Sequence, residues 1–295
     1  MTNMTHMTHM THMTHMTHMT HANALRRAAI APIAAIAAIT TLAGLAISSS
    51  AHAQAFDAVR LYGAAPDKDG GNVGLALING RKYSGSDERR TMLVPGLDYI
   101  WSNGWFAGTA NGVGYNFSSQ PFISYGLRLT ADFGRSESRS RFLKGMGNVD
   151  AAAEVGGFLN YSINRAFVLT SSLRYGAGVD RDGVLLDLGA VYSTEVAPRW
   201  RLGLGAATTY ANASYQQSYF GVTARQAITS GYAAYTPGAG LRDLRLNVSL
   251  AHGFSERVGV FAALSAGRLL GDAKSSPLTR EASSMGLVAA VTYSF

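Results

Sequence analysis

Hydrophobic and polar residues alternate with a period of two along most of this chain. In residues 285–295, Met285, Leu287, Ala289, Val291, Tyr293 and Phe295 fall on one side, and Gly286, Val288, Ala290, Thr292 and Ser294 on the other. That is the signature of a β-strand with two unlike faces. Twelve segments of this kind can be marked, at about 71–80, 90–101, 104–109, 112–118, 121–132, 151–162, 166–177, 183–195, 199–211, 241–253, 257–268 and 284–295. The ninth is the clearest: Trp200, Leu202, Leu204, Ala206, Thr208 and Tyr210 face one way, and Arg201, Gly203, Gly205, Ala207 and Thr209 the other. Ten strand residues at ~3.3 Å each, tilted by about 45°, span roughly 23 Å. This matches the apolar band of an outer-membrane barrel and puts Trp200 and Tyr210 in its two aromatic girdles.

The connections supply a separate test. Bacterial barrels have an even strand number, short periplasmic turns and longer external loops. With Phe295 taken as periplasmic, the periplasmic turns are Ser102-Asn103, Ser119-Gln120, Ile163-Asn164-Arg165, Val196-Ala197-Pro198 and Phe254-Ser255-Glu256, while residues 133–150, 212–240 and 269–283 are external. The three longest connections therefore share one side. The fold class expected is all-β, a closed antiparallel transmembrane β-barrel of about 12 strands spanning 71–295. If 104–118 is one irregular strand the count changes, with 10 as the alternative.

The amino-terminal region points to export. Arg26 and Arg27 precede an apolar stretch from Ala28 to Ile47, followed by three serines and Ala51-His52-Ala53. This is the order of a cleaved signal peptide, with cleavage expected after Ala53. The rival, a membrane anchor of ~20 residues, fits the Ala-rich composition and Pro32 less well. A tandem Met-Thr-His tract from Met4 to His21 lies upstream of the cleavage site, and translation from Met19 would leave an ordinary signal peptide. Residues 1–53 are thus read as signal peptide and repeat, and 54–70 as a short periplasmic segment.

Composition narrows the chemistry. The chain has no cysteine, which removes disulfides, thiol catalysis and lipid attachment through sulfur. Its 25 basic and 18 acidic residues give a net charge of +7, and without Arg26 and Arg27 the mature chain carries about +5, spread along its length. A nucleic-acid footprint would be clustered, so no nucleic-acid partner is expected. Beyond residue 53 no apolar run is long enough for a helical span, so membrane insertion must use strands.

On the faces opposite the apolar ones stand Asp98, Arg128, Glu154, Arg174, Asp187, Arg201 and Arg245. On lipid each would cost ~2–4 kcal/mol near the midplane, so they should face the lumen. With both signs interleaved, an ion-paired and filled interior is favoured over an Arg-lined solute pathway. The external segment 212–240 is nearly uncharged and holds Tyr215, Tyr219, Phe220, Tyr232 and Tyr235. It is expected to cap or plug the mouth, held by Gln226, Ser230 and tyrosine hydroxyls. Ser138, Arg139, Ser140 and Arg141 in another outer loop suit a solvated loop better than a lipopolysaccharide site.

Catalytic chemistry finds little support. His252 is the one histidine of the mature chain, and by alternation it continues the Leu244–Leu250 face toward lipid headgroups. Ser249 and Ser255 are near in sequence, yet no carboxylate is placed to orient the imidazole. The pairs Asp67/Asp69 and Asp180/Asp182 adjoin glycines and turns, where Asp bonds backbone, and they supply too few oxygens for calcium. No phosphate loop is present. No catalytic, cofactor-binding or metal site is therefore assigned.

Three blocks of residues resemble the MipA/OmpV family of outer-membrane proteins, also called MltA-interacting proteins. They are Tyr83-Ser-Gly85-Ser86-Asp87 with Pro95-Gly-Leu-Asp-Tyr99; Tyr219-Phe220-Gly221-Val-Thr223 with Gln226, Ser230-Gly231-Tyr232 and Gly240-Leu241-Arg-Asp243; and Arg268-Leu-Leu-Gly271-Asp272-Ala273 with Ser275-Ser276-Pro277. The resemblance implies a non-catalytic outer-membrane barrel that scaffolds a lytic transglycosylase and a murein synthase. The alternatives it implies are a narrow, loop-gated porin-like channel or a surface adhesin. The final strand also resembles the signal read by the barrel assembly machinery, through Tyr293 and Phe295, although Val288 and Ala290 stand where a polar residue and glycine are more usual. The remaining partners expected are outer-membrane lipid and lipopolysaccharide.

Overall fold

The computed structural model of the chain describes Pro66–Phe295. The expected signal peptide, the Met-Thr-His tract and most of the 54–70 segment lie outside the described residues. Twelve strands follow in order: β1 Gly70–Arg81, β2 Arg89–Ile100, β3 Trp105–Gly108, β4 Gly112–Asn116, β5 Ile123–Asp132, β6 Ala152–Ser162, β7 Phe167–Ala177, β8 Gly183–Ala197, β9 Trp200–Ala211, β10 Gly240–Gly253, β11 Val258–Leu269 and β12 Ser283–Ser294. Each pairs antiparallel with its neighbours in sequence, and β1 pairs with β12, closing the barrel. No helix among the described residues is long and apolar enough to cross a membrane.

Alternation dictates this architecture. Leu75 and Leu77 on β1, Leu127 and Leu129 on β5, and Leu244, Leu246 and Val248 on β10 all point outward and are exposed. Such a belt is tolerable only against hydrocarbon, and closure leaves no ladder edge at the β1–β12 seam for lipid to strand. At the short-turn end the belt finishes in aromatic contacts: Tyr99 with Trp101 and Phe295, Tyr115 with Trp105 and Phe117, and Trp200 with His252. Tyr175 and Tyr210 stand exposed near the other end.

The segment 104–118 is a hairpin, β3 and β4, so the count is twelve. Its strands, four and five residues long, are shorter than alternation suggested. β8 runs two residues further than expected, to Ala197, through a register shift between Glu195 and Ala197. The turn into β9 is thereby only Pro198-Arg199, with Arg199 at φ 65°.

The long connections share one end. Residues 133–151 carry two short 3-10 turns, Glu137–Arg139 and Arg141–Leu143. Residues 212–239 fold into α1 Ala213–Phe220 and α2 Ala224–Ser230, and 270–282 into α3 Gly271–Ser275. Asn212 caps α1 through Tyr215 N, and Thr223 forms a capping box with Gln226 on α2, which Gly231 closes at φ 79°.

Candidate functional site: the capped mouth and the divided lumen

One half of the lumen is a relay of buried ions. Glu154 on β6 accepts from Arg174 on β7 at 2.9 Å, and Arg174 reaches Asp187 on β8 at 2.8 Å. Asp187 meets Arg245 on β10 at 3.2 Å, Arg245 meets Asp243 at 3.3 Å, and Asp243 meets Arg242 at 2.6 Å. Thr130 and Thr209 donate to Glu154 and Asp187, and Arg128 donates to Ser172 at 2.8 Å. A register shift between Leu241 and Asp243 leaves both Arg242 and Asp243 buried. Breaking a buried pair costs ~3–5 kcal/mol, so the network fixes this half rigidly. The filled interior read from Arg128, Glu154, Arg174, Asp187 and Arg245 is thus present, whereas Arg201 sits exposed at the short-turn end.

Over this half lies the cap. Tyr215, Tyr219 and Phe220 of α1 are buried with Val149, Leu185, Leu269 and Ala273, and the rings of Tyr215 and Tyr219 stack at 4.6 Å. The Tyr219 hydroxyl donates to Asp132 at the end of β5. Arg135, itself buried, donates to the Tyr219 carbonyl at 2.8 Å, and Arg242 donates to the Tyr215 hydroxyl at 2.9 Å. Burial pushes the Tyr215 phenol up to about 12 and raises Tyr219 as well, the neighbouring Tyr215 and Asp132 adding to the shift of Tyr219. The segment 212–240 therefore closes the mouth, as its aromatic content suggested. Gln226 donates to the Met146 carbonyl, Tyr232 to Phe142 and Tyr235 to Asp272.

The family-resemblance positions gather where loops meet. Tyr83 donates to the Leu278 carbonyl at 3.2 Å. Gly85, at φ 93°, packs so close to Thr279 that a Cβ would lie 2.8 Å from its Oγ1, and its carbonyl accepts from Arg280 and Glu281. Ser86 is buried and accepts from Glu88 N, and Asp87 lies 3.9 Å from Arg280. Ser276 donates to the Phe220 carbonyl at 2.6 Å, beside half-buried Pro277. Asp272, following Gly271 at φ 47°, accepts from Gly238 N at 2.7 Å. A Cβ at Gly221 would collide with Gln217, and Ser230 donates to the Gln226 carbonyl. Gly240 opens β10, and Leu241 faces lipid. The block from Pro95 to Tyr99 sits elsewhere, running along β2 from mid-strand toward the short-turn end.

Two outer-loop carboxylates, Glu137 and Glu88, act as clasps. Glu137 accepts from Gly145 N and Gly147 N, both at 2.8 Å, which holds it below the usual carboxylate range. Glu88 accepts from Ser140 at 2.5 Å and pairs with Lys82 at 3.3 Å, and is lowered likewise. Ser140 is thereby drawn into the loop contact, and Arg141 lies over the Phe142 ring at 4.8 Å.

At the short-turn end, Phe106 and Phe158 meet edge to face at 5.8 Å with Ile100 packed beside them, flooring the lumen. His252 stacks on Trp200 at 4.3 Å and abuts Phe254. Tyr293 and Phe295 lie on the lipid side of the seam, where Phe295 exchanges two backbone hydrogen bonds with Gly71, each 3.0 Å. Asp69 accepts from both N and Oγ of Ser102, and Asp182 from Ser214. Among the described residues no group of three or more His, Cys, Asp or Glu is placed to hold a metal. Sequence reading missed Asp132, Arg135 and Arg242 as cap fasteners, although the charge inside a barrel's loop end was a signal available for each.

A closed antiparallel barrel with an apolar outer belt, aromatic girdle and polar interior defines a transmembrane β-barrel of the outer-membrane class. Residues 73–295 match the family described as MltA-interacting protein MipA, and the chain belongs to that family. No curated protein matches it. Among solved structures the chain is similar to an outer-membrane channel from Pseudomonas putida F1, at 11% identity over 79% of this chain and 98% of that one, TM-score 0.45. It is also similar to the NanC porin, at 10% identity over 74% and 98%, TM-score 0.42. A third is the outer-membrane channel DcaP of Acinetobacter baumannii, at 10% identity over 80% and 100%, TM-score 0.36.

Proposed function

We propose that this barrel is a non-catalytic interaction protein of the cell envelope, exported after cleavage at Ala53 and assembled through a terminal signal containing Tyr293 and Phe295. Its role in this reading is to hold a murein-degrading lytic transglycosylase, together with a murein synthase, at the outer membrane. The observation that carries the reading is membership of a family described by its interaction with the enzyme MltA. The ion-paired half of the lumen under a fastened cap supports it too, since a scaffold needs rigidity and no free passage.

Affinity capture from detergent-solubilised envelopes tests it. A lytic transglycosylase should co-purify with the intact barrel. Capture without any murein enzyme, coupled with a loss of solute uptake in cells lacking the protein, would favour the porin-like alternative and contradict the scaffold.

A further inference from the structure

The other half of the lumen differs in chemistry from the charged one. Residues on β1 and β2 that alternate with the lipid-facing Leu75, Leu77 and Leu93 are Ala76, Ile78, Met92 and Val94. Their counterparts on β11 and β12 are Phe261, Ala263, Val288 and Ala290. Most of these side chains are only part-buried, in contrast to Arg128, Glu154, Arg174 and Arg245 across the barrel, which are buried. At mid-height this half of the lumen therefore has an apolar lining, whereas toward the mouth a small cavity is bordered by Arg242, Asp243, Arg245 and Ser284. Nearer the short-turn end a cavity of about 250 Å³, bordered by Asn72, Asp98, Ile100, Phe106 and Thr292, continues in the same sector.

The barrel wall beside this half is incomplete. β3 pairs with β2 at Asp98, Tyr99 and Ile100; beyond these, Trp101 N donates to the Trp105 carbonyl at the turn, and at the other end Thr109 N donates to the Leu97 carbonyl and Leu97 N to Thr109 Oγ1. From Arg89 to Gly96, β2 has β1 on one side and, among the described residues, no strand on the other. Eight residues at ~3.3 Å amount to roughly 26 Å of unpaired edge. Residues bonding toward β3 are the odd ones, as at Leu97, so the missing N–H of Pro95 falls on this edge. Proline suits an edge that no strand covers, and its ring spoils the edge for a docking strand. Leu93, 62% exposed, is the most exposed large hydrophobic residue of β2. Above the opening the Ser140–Glu88 bond ties the 133–151 loop to the β1–β2 loop. What results is a window in the wall, with the mouth shut above it.

Two arginines stand at the upper rim. Arg90 shares the inward face with Met92 and Val94, and its charge is close enough to Arg139 to depress that guanidinium's pKa, adding to the effect of burial. Among the described residues neither side chain has an ion pair or hydrogen bond given by the structure. The Ser140–Glu88 bond brings the residue next to Arg139 against the one two positions before Arg90, and two cations held near one another above an apolar trough call for an anion attached to a hydrocarbon chain.

We propose that this half-lumen binds a single-chain anionic amphiphile of the fatty-acid class. The molecule enters sideways from the bilayer over the bare edge of β2, with its carboxylate between Arg90 and Arg139 and its chain along Ile78, Met92 and Val94.

The test uses the full barrel in lipid nanodiscs and palmitate carrying a diazirine at its ω end. After irradiation, adducts should map by mass spectrometry to inward residues of β1, β2, β11 and β12, and excess unlabelled palmitate should remove them, whereas butyrate should not. Arg90→Glu combined with Arg139→Glu, both at the solvent end of the barrel, should cut these adducts at least tenfold while folding is unchanged. Val94→Trp should do the same by filling the trough. Adducts confined to outward residues around the whole circumference, or inward adducts indifferent to both variants, would overturn the proposal.

Discussion

The hydroxyl of Tyr219 donates to both carboxylate oxygens of Asp132, at 2.6 and 2.5 Å, and this contact couples the first cap helix to the upper end of β5. Asp132 also accepts from the backbone N–H groups of Gly134 and Gly178, each 3.1 Å away. One side chain thus gathers a strand end, two loops and the cap. Tyr219→Phe removes only the hydroxyl. It should cost ~1–3 kcal/mol, the penalty for a buried acceptor left short of a donor, and should expose residues 212–240 to protease while the barrel stays folded. Limited proteolysis checks this; a cleavage rate equal to that of the parent contradicts it.

Alkali should act at the same place. The Tyr215 and Tyr219 phenols are raised by burial, Tyr215 to about 12, so the folded state keeps protons that the unfolded state releases from about pH 10 upward. Cap stability is then fully present below pH 10 and is lost as pH rises toward the folded values. Tyrosinate absorbance followed during a pH jump should show a late-titrating pair, absent from the Tyr215→Phe/Tyr219→Phe double variant.

Acid should release a different clasp. Glu137 is held below its usual value by the Gly145 and Gly147 N–H groups, then helped by Lys144. Its contribution is therefore present above about pH 4.5 and is lost as pH falls through the lowered folded value. The protection of the Gly145 and Gly147 amides against hydrogen exchange, taken relative to the intrinsic exchange rate at each pH, should fall on acidification, and in Glu137→Gln it should be low at neutral pH and unchanged by acid.

Arg174 bridges two carboxylates from neighbouring strands. Arg174→Met should leave Glu154 without its cation and Asp187 with Arg245 alone, and cost ~3–5 kcal/mol, lowering the temperature at which the barrel loses its compact gel mobility. Adding Glu154→Gln should restore part of that loss. Equal stability of parent and single variant would show that the relay carries no weight.

Much of this was legible in the sequence, and the reasons are physical. Twelve strands could be marked because lipid outside and water or ions inside impose a period of two that β9 follows from Trp200 to Tyr210. The charged lining was legible because Arg174 and Asp187 can face only inward. Partner choice was not: Arg245 and Asp187 are 58 residues apart, and Tyr219 and Asp132 are 87 apart. The family-resemblance residues marked the outer rim without saying that Tyr83 meets Leu278 or Ser276 meets Phe220. Alternation also continued past the true ends of β3 and β4, since Thr109 and Phe117 keep the pattern beyond the ladder. The bare edge of β2 was therefore hidden, although Pro95 inside a strand was its trace.

The central claim is that each strand presents one face to hydrocarbon. Because the chain has no cysteine, single nitroxide labels introduced at successive positions from Leu244 to Leu250 report their surroundings without interference. The account predicts oxygen accessibility peaking at 244, 246, 248 and 250 and falling at 245, 247 and 249. A helical period, or uniform contact with water, would contradict it.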